Sequence, residues 1–227
     1  MTYQQKGRFQ QLEAWGVAFT CLTGLLLHFS YRLSGGAVWS ILFGAANGSV
    51  WETVKIMALP YLCWSIVELC FLRLPLKNFV VARVTGLYVM TAGTIAFRLL
   101  YAGILGTSYA WADILGFAAF AALGFWVSSK VMAADSNKIR PWFPAAAFAL
   151  ALFIAMYLTF TVNPPHISLF LDSSTGTYGI PPRNLDAGAV YLDALKEIYL
   201  FFYQIVSVLS SKNVFFFLNT YAILIFI

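Results

Sequence analysis

The sequence predicts an all-α fold, a polytopic transmembrane helix bundle of about five spanning helices plus a short interfacial or re-entrant segment. Three observations predict it. The first is composition: 61% of the 227 residues are hydrophobic and only 10% are charged, against about 25% charged in soluble domains. With a mean hydropathy of +0.78, the chain has too few polar side chains to cover a soluble surface, so lipid must cover it. The second is segmentation, because the apolar residues gather into stretches of about 20, the length that crosses a hydrocarbon core as a helix. The third is that these stretches lack the two-residue alternation of a barrel strand, and an open strand edge in lipid would leave backbone groups unpaired.

The first stretch runs from Leu12 to Leu33. Lys6 and Arg8 ahead of it resemble the start of a secretory signal. The apolar run continues to about Tyr31 without a small-x-small cleavage site before Ser34, so a retained helix is expected. Between Ser34 and Ser49 a piece from Val38 to Ala46 is too short to span and is expected to turn back or lie in the interface. The second helix is expected over Val50 to Leu72, kinked at Pro60, which frees a carbonyl one turn earlier. The third covers Phe79 to Tyr101, the fourth Ser108 to Met132 and the fifth Pro141 to Val162, with Pro141 and Pro144 in the first turn, where proline is tolerated.

Small residues mark where helices approach closely in lipid. Ala147, Ala151 and Ala155 on the fifth helix, and Ala112 and Gly116 on the fourth, are expected to be seams of one bundle. Cys21, Cys63 and Cys70 lie in apolar stretches without metal or disulfide spacing and are expected to be small core residues. Residues 1–182 thus form the bundle. The tail 183–227 is atypical: a polar stretch from Arg183 to Glu197, then apolar residues to Ile227 broken by Ser210, Ser211, Lys212 and Asn213, a possible sixth helix or a hairpin.

The net charge is +5, but the cations are scattered between apolar stretches and not gathered as nucleic-acid binding requires. Their distribution instead sets topology. Lys6, Arg8, Arg73, Lys77, Arg83, Lys130, Lys138 and Arg140 fall on one side and only Arg32 and Arg98 on the other before the tail. The positive-inside rule then places the N-terminus in the cytoplasm and the loops 34–49 and 163–182 outside.

Ionisable residues within membrane helices are costly and are functional candidates. On the outer side the sequence places His28, Glu52, Lys55, Arg98 and Asp113 on four helices, with Tyr31 and Asn47 beside them and His166, Asp172 and Tyr178 in the loop after the fifth helix. Thr20, Gly24 and His28, like Thr91, Thr94, Arg98 and Tyr101, recur at helical spacing on one face. A polar, outward-opening pocket roofed by the loop is expected. Bland readings stand beside this one: Ser49 and Glu52 as a capping box, Lys55 snorkelling to the headgroups, Arg98 and Asp113 as a structural ion pair, and the histidines as ordinary hydrogen-bonding residues. Asn47-Gly48-Ser49 also matches a glycosylation acceptor, read as chance so near the membrane. The helical His pair with an intervening Glu, the phosphate loop, the dinucleotide fingerprint and the nucleophile elbow are all missing, as is an inverted repeat.

His28-Phe29-x-Tyr31 with Ser34-Gly35, Asn47-x-Ser49-Val50-Trp51-Glu52-x-x-Lys55, and Pro164-Pro165-His166-Ile167-x-Leu169-Phe170-x-Asp172 with Tyr178-Gly179-Ile180 together resemble an uncharacterised bacterial multi-pass membrane family, a domain of unknown function. The resemblance covers roughly residues 12–180 and implies a protein of the bacterial plasma (inner) membrane, with no activity implied. Gly48 and Thr53 stand where that family usually has Glu and His, so a metal or acid-base site in relatives would be degraded here.

These readings leave three functions open. One is an assembly, sensing or binding protein that docks a membrane partner or a second copy of itself through the outer loop. Another is a membrane-embedded hydrolase acting at the outer leaflet, with His28, His166 and Glu52, joined by Asp172 or Asp113, as ligands for zinc or acid-base groups. The last is a small-solute transporter using Arg98, Lys55 and Glu52. No catalytic residue is assigned.

Overall fold

The computed structural model describes residues 3–72 and 74–181; the tail 183–227, with its possible sixth helix, lies outside the described residues. In order, the chain forms α1 (Tyr3–Leu33), α2 (Val38–Phe43), α3 (Val50–Phe71), α4 (Leu76–Leu105), α5 (Ala110–Ala133), α6 (Ser136–Ile139), a 3-10 turn (Arg140–Trp142), α7 (Phe143–Val162), and a two-stranded antiparallel hairpin of β1 (Leu171–Asp172) and β2 (Thr177–Tyr178). Five spans are long and apolar enough to cross a membrane: Gly7–Leu33, Val50–Phe71, Leu76–Leu105, Ala110–Ala133 and Ser136–Val162, the last joining α6, the turn and α7. The all-α multi-pass architecture read from composition is therefore the one observed. Successive spans alternate in direction, which puts 34–49 and 163–181 at one end, here the long-loop end, and 72–75 and 134–135 at the other, the short-turn end.

Local chemistry sets the helix limits. Ser49 Oγ accepts from the Glu52 amide at 3.3 Å and opens α3, and Asp135 Oδ1 accepts from the Asn137 amide at 3.0 Å to open α6. α4 stops at Gly106, whose φ of 71° is the left-handed conformation that glycine adopts without strain. α3 runs on through Pro60. The carbonyl that Pro60 leaves without its helical partner belongs to Ile56, and α1 comes close to it at Gly24, where a Cβ would stand 3.1 Å from Ile56 O.

α4 packs on α3, α5 and α7, and α1 on α3 and α5. The core between them holds Val54, Met57, Tyr61, Leu87, Met90, Ala121 and Phe125, all essentially inaccessible. Leu22, Leu26, Ile104, Ile114, Leu115 and Phe148 point outward, as a lipid-facing surface requires. Exposed Trp39, Tyr109 and Trp111 ring the long-loop end, and Trp15, Trp126 and Trp142 lie toward the short-turn end, matching the two aromatic belts of a membrane protein.

The small-residue seams differ in part from expectation. Ala112 and Gly116 are buried on α5, but on α7 Ala151 is exposed and the inward positions are Ala146, Phe153 and Thr161. α7 packs mainly on α4, with α2 and the start of α3 against its last turns, so a narrower stripe suffices. Cys63 and Cys70 are likewise on the exposed face of α3 and not in the core, while Cys21 is half-buried against it. α4 and α5 approach closely through facing glycines. A Cβ on Gly86 would stand 2.5 Å from Gly124 O, and one on Gly124 would stand 3.0 Å from Gly86 O. A Cβ on Gly86 would also meet the buried Tyr61 hydroxyl, and because the Gly124 obstacle is backbone, Gly86→Ala must push the two helices apart. A loss of about 1–3 kcal/mol is expected from overpacking, read as a lower midpoint in detergent-titrated unfolding, whereas Gly103→Ala, with open space around it, should leave the midpoint unchanged.

Candidate functional site

At the long-loop end the start of α3 carries a buried ion pair. Lys55, fully inaccessible, puts Nζ 3.1 Å from both carboxylate oxygens of Glu52 and donates to Ile41 O at 2.9 Å. Glu52 Oε2 also accepts from the Ala46 amide at 2.8 Å. The Tyr157 ring of α7 lies 5.7 Å below Nζ, and its hydroxyl donates to Leu42 O at 2.8 Å. Lys55 therefore does not snorkel. It points inward and, with Glu52, ties α2 and the segment after it to α3. The capping box is half formed: Ser49 receives the Glu52 amide, but the carboxylate turns to Ala46 and Lys55 while the Ser49 amide donates to Asn47 Oδ1 at 2.9 Å.

The loop 163–181 is clamped onto the same place. Asp172 accepts from the Gly48 amide at 3.1 Å and from the Ser174 amide and hydroxyl at 2.9 and 2.7 Å. Asn47 Nδ2 donates to Gly179 O at 2.7 Å, and the Trp51 amide donates to Leu169 O at 3.1 Å. The Trp51 ring packs against Phe160 and Phe170 beneath the loop. Burial on its own would raise the Asp172 carboxyl; the hydrogen bonds from Ser174 and Gly48 outweigh it and hold the group below its ordinary value.

The remaining candidates do not join this cluster. Arg98 and Asp113 form an ion pair between α4 and α5, with the Tyr101 hydroxyl donating to the same carboxylate. No hydrogen bond or ion pair among the described residues connects them to Glu52 or Lys55. On α1, Thr20 and Gly24 face inward as their spacing predicts, but one turn later His28 is exposed, with its ring edge-on to Phe29. Tyr31 is half-buried. His166 is exposed in the loop and stacks on Tyr178, ring centroids 4.7 Å apart. Among the described residues, no three His, Cys, Asp or Glu side chains gather as a metal would need. The proposed zinc set of His28, His166 and Glu52 is therefore not assembled in this conformation.

A second buried polar centre, near the short-turn end, escaped the sequence reading. Arg83, one of the cations at the helix ends that set the topology, lies inside α4 at 3% exposure. Its Nη2 is 2.8 Å from Glu13 Oε1 of α1 and contacts Glu68 Oε2 of α3. The guanidinium is surrounded by the rings of Phe9, Tyr61, Phe79 and Phe125, 5.1 to 5.8 Å from their centroids, a desolvated cation–π cage. The Tyr61 hydroxyl donates to Arg83 O at 3.1 Å, and Trp64 Nε1 donates to Glu68 Oε1 at 2.9 Å and to Leu12 O at 3.0 Å. The available signal was a Glu or Arg inside each of three apolar stretches.

Comparison with known families adds one finding. The model of a family described as "Family of unknown function (DUF6512)" matches residues 1–180. The chain belongs to this family. No curated protein and no solved structure matches it. The match spans the whole bundle and ends with the clamped loop, so both buried centres lie inside the DUF6512 region.

The clamp explains what glycine does at position 48 in this DUF6512 chain. A Cβ there would stand 2.9 Å from Asp172 Oδ1, so a glutamate, the residue the resemblance leads one to expect, would meet a second carboxylate at once. Thr53, the other departure, is half-buried and donates to Ser49 O at 3.4 Å. The clamp also has a pH signature. Because the folded Asp172 value lies below that of a free carboxyl, about 4, its contribution is complete above that pH and is lost as pH falls through the lower, folded value. A spin label at Thr175→Cys should stay immobilised from neutral pH down to about 4 and loosen only below, while adding Asp172→Ala should leave it mobile throughout. A label that mobilises between pH 7 and 5 would contradict the clamp.

Proposed function

We propose that this is a multi-pass protein of the bacterial plasma membrane with a cytoplasmic N-terminus, and that its loop 163–181 is an outward-facing platform for binding a protein partner in the same membrane. The orientation rests on cation counting in the sequence, which survives the loss of Arg83: Lys6, Arg8, Arg73, Lys77, Lys130, Lys138 and Arg140 still outnumber Arg32 and Arg98 on the opposite side. The observation that carries the binding role is how the buried polar groups at the long-loop end are used. Glu52, Lys55, Asp172 and Asn47 are each committed to internal partners that fasten the loop to the bundle. What the loop presents is His166, Ile167, Ser168 and the hairpin tip 173–177, all exposed. Groups held for a hydrolytic or transport step would be expected to face an open cavity with spare hydrogen-bonding capacity; here that capacity goes into scaffolding.

Two measurements test the reading. In a chain whose cysteines are replaced by alanine, Ser168→Cys should react with an impermeant maleimide on intact cells and Lys138→Cys only after permeabilisation. A photocrosslinking side chain at Ile167 or Thr175 should give one discrete adduct in native membranes, absent from the lipid-facing control at Leu26 and lost with Asp172→Ala. Labelling of both cysteines from the same side, or adducts indifferent to Asp172, would defeat the proposal.

A further inference from the structure

A cleft at the short-turn end takes no part in the partner binding proposed for the loop 163–181. It is an open pocket of about 320 Å³ lined by Lys77, Asn137, Arg140, Pro141, Phe143 and Pro144, where the first turn of α4 meets the corner between α6 and α7. The corner is rigid. Ile139 plugs into a small core with Val81, Val84 and Ala146, the Asn78 amide donates to Ser136 Oγ across the two elements, and Pro141 and Pro144 restrict the backbone. Arg140 is thereby held beside Lys77. Both cations are exposed, and among the described residues neither forms an ion pair. Lys77 Nζ lies 5.7 Å from the Phe143 ring, which forms an apolar wall. The acid closest in sequence, Asp135, already accepts from the Asn137 amide. Trp142, 66% exposed, marks this level as the headgroup region, and Phe148, 69% exposed, continues toward the acyl chains one to two turns further along α7.

We infer that this cleft binds the phosphate of an anionic phospholipid, with Arg140 and Lys77 on the phosphate oxygens, Asn137 as a neutral donor to the headgroup, and the acyl chains lying along α7. Guanidinium and ammonium donors on a rigid frame suit a phosphate, and basic pockets between spans at this depth are where anionic headgroups are recognised. Free phosphate shares the chemistry, but the bilayer-level position, between an exposed tryptophan and a lipid-facing phenylalanine, favours the lipid.

The test reconstitutes the full chain in nanodiscs of mixed phosphatidylglycerol and phosphatidylcholine, extracts it gently, and measures retained lipid by native mass spectrometry. Each cation near a membrane surface contributes about fivefold in affinity, so phosphatidylglycerol should be enriched about 25-fold in the wild type. In the Lys77→Gln/Arg140→Gln double variant the enrichment should vanish, while Lys138→Gln, a neighbouring exposed cation outside the cleft, should keep it. All the substituted side chains are exposed, so equal thermal unfolding midpoints verify that the variants fold. Equal enrichment in wild type and double variant, or equal loss in Lys138→Gln, would overturn the site as general surface attraction. Displacement of the retained lipid by millimolar inorganic phosphate would overturn the lipid as its ligand.

Discussion

Arg83→Met should be among the most damaging single substitutions in the protein, lowering the unfolding free energy by about 3–5 kcal/mol in detergent titration. The methionine fills similar space among Phe9, Tyr61, Phe79 and Phe125, so packing is largely kept. What is lost is, among the described residues, the one cation paired with Glu13 and Glu68, whose side chains are 8% and 0% exposed. Two carboxylates then share a dry site with no countercharge. The direction of the companion variants distinguishes this account from simple cavity damage. Glu13→Gln leaves one carboxylate on one guanidinium and should be tolerated within about 1 kcal/mol, since a neutral amide still accepts from the guanidinium. The triple variant Arg83→Met, Glu13→Gln, Glu68→Gln removes every charge and should recover most of the loss, because uncharged side chains of matching volume commonly replace buried ion pairs without penalty. A triple variant no better than Arg83→Met alone would show that the centre is held by shape and not by charge.

The contrast between the two buried centres shows what could be read from the sequence. Every span was legible, because about 20 apolar residues in a row have only one way to satisfy their backbone in lipid. Their ends were less so. The third span was placed at Phe79 to Tyr101, yet α4 extends over Leu76–Leu105, since the polar residues flanking a span cost nothing at the interface and helices continue through them. At the long-loop end, the i,i+3 spacing of Glu52 and Lys55 puts them on one face, a pairing that the separate capping and snorkelling readings pass over. The partners that close the clamp, Gly48 for Asp172 and Gly179 for Asn47, are more than a hundred positions away in sequence, and no periodicity reports such a contact.

The misreadings share one physical origin. Helical spacing gives the phase of a side chain relative to its own helix but not where neighbouring helices lie around it. His28 continues the Thr20 and Gly24 stripe, yet it is exposed, because among the described residues none covers that face of α1 near its end. Ala151 faces outward for the same reason. Arg83 fails in the opposite sense: it stands near the end of a span, where cations usually lie in the headgroups, but α1 and α3 bring acids against it from both sides. A sequence search that paired every acid within an apolar stretch with every cation at matching depth would have recovered the Glu13, Glu68 and Arg83 centre.

Lys55→Met should have a comparably large effect, with a different distribution through the molecule. The substitution leaves the Glu52 carboxylate, 7% exposed, with the Ala46 amide and no cation, so a global loss of about 3–5 kcal/mol is expected. Because Nζ also holds Ile41 O, the damage should begin locally. Amide hydrogen exchange over Val38–Phe43 and the following residues to Ser49 should rise at protein concentrations and temperatures where α4 and α5 remain protected. Lys55→Met combined with Glu52→Gln restores charge balance and leaves an acceptor for Ala46, but nothing replaces the donor to Ile41. Global stability should therefore return while exchange in α2 stays high. That split between a recovered midpoint and a persistently loose α2 follows only if Lys55 serves both as countercharge and as the tether of α2. If exchange in α2 recovered together with the midpoint, Tyr157, through its hydroxyl on Leu42 O, would be the sufficient anchor.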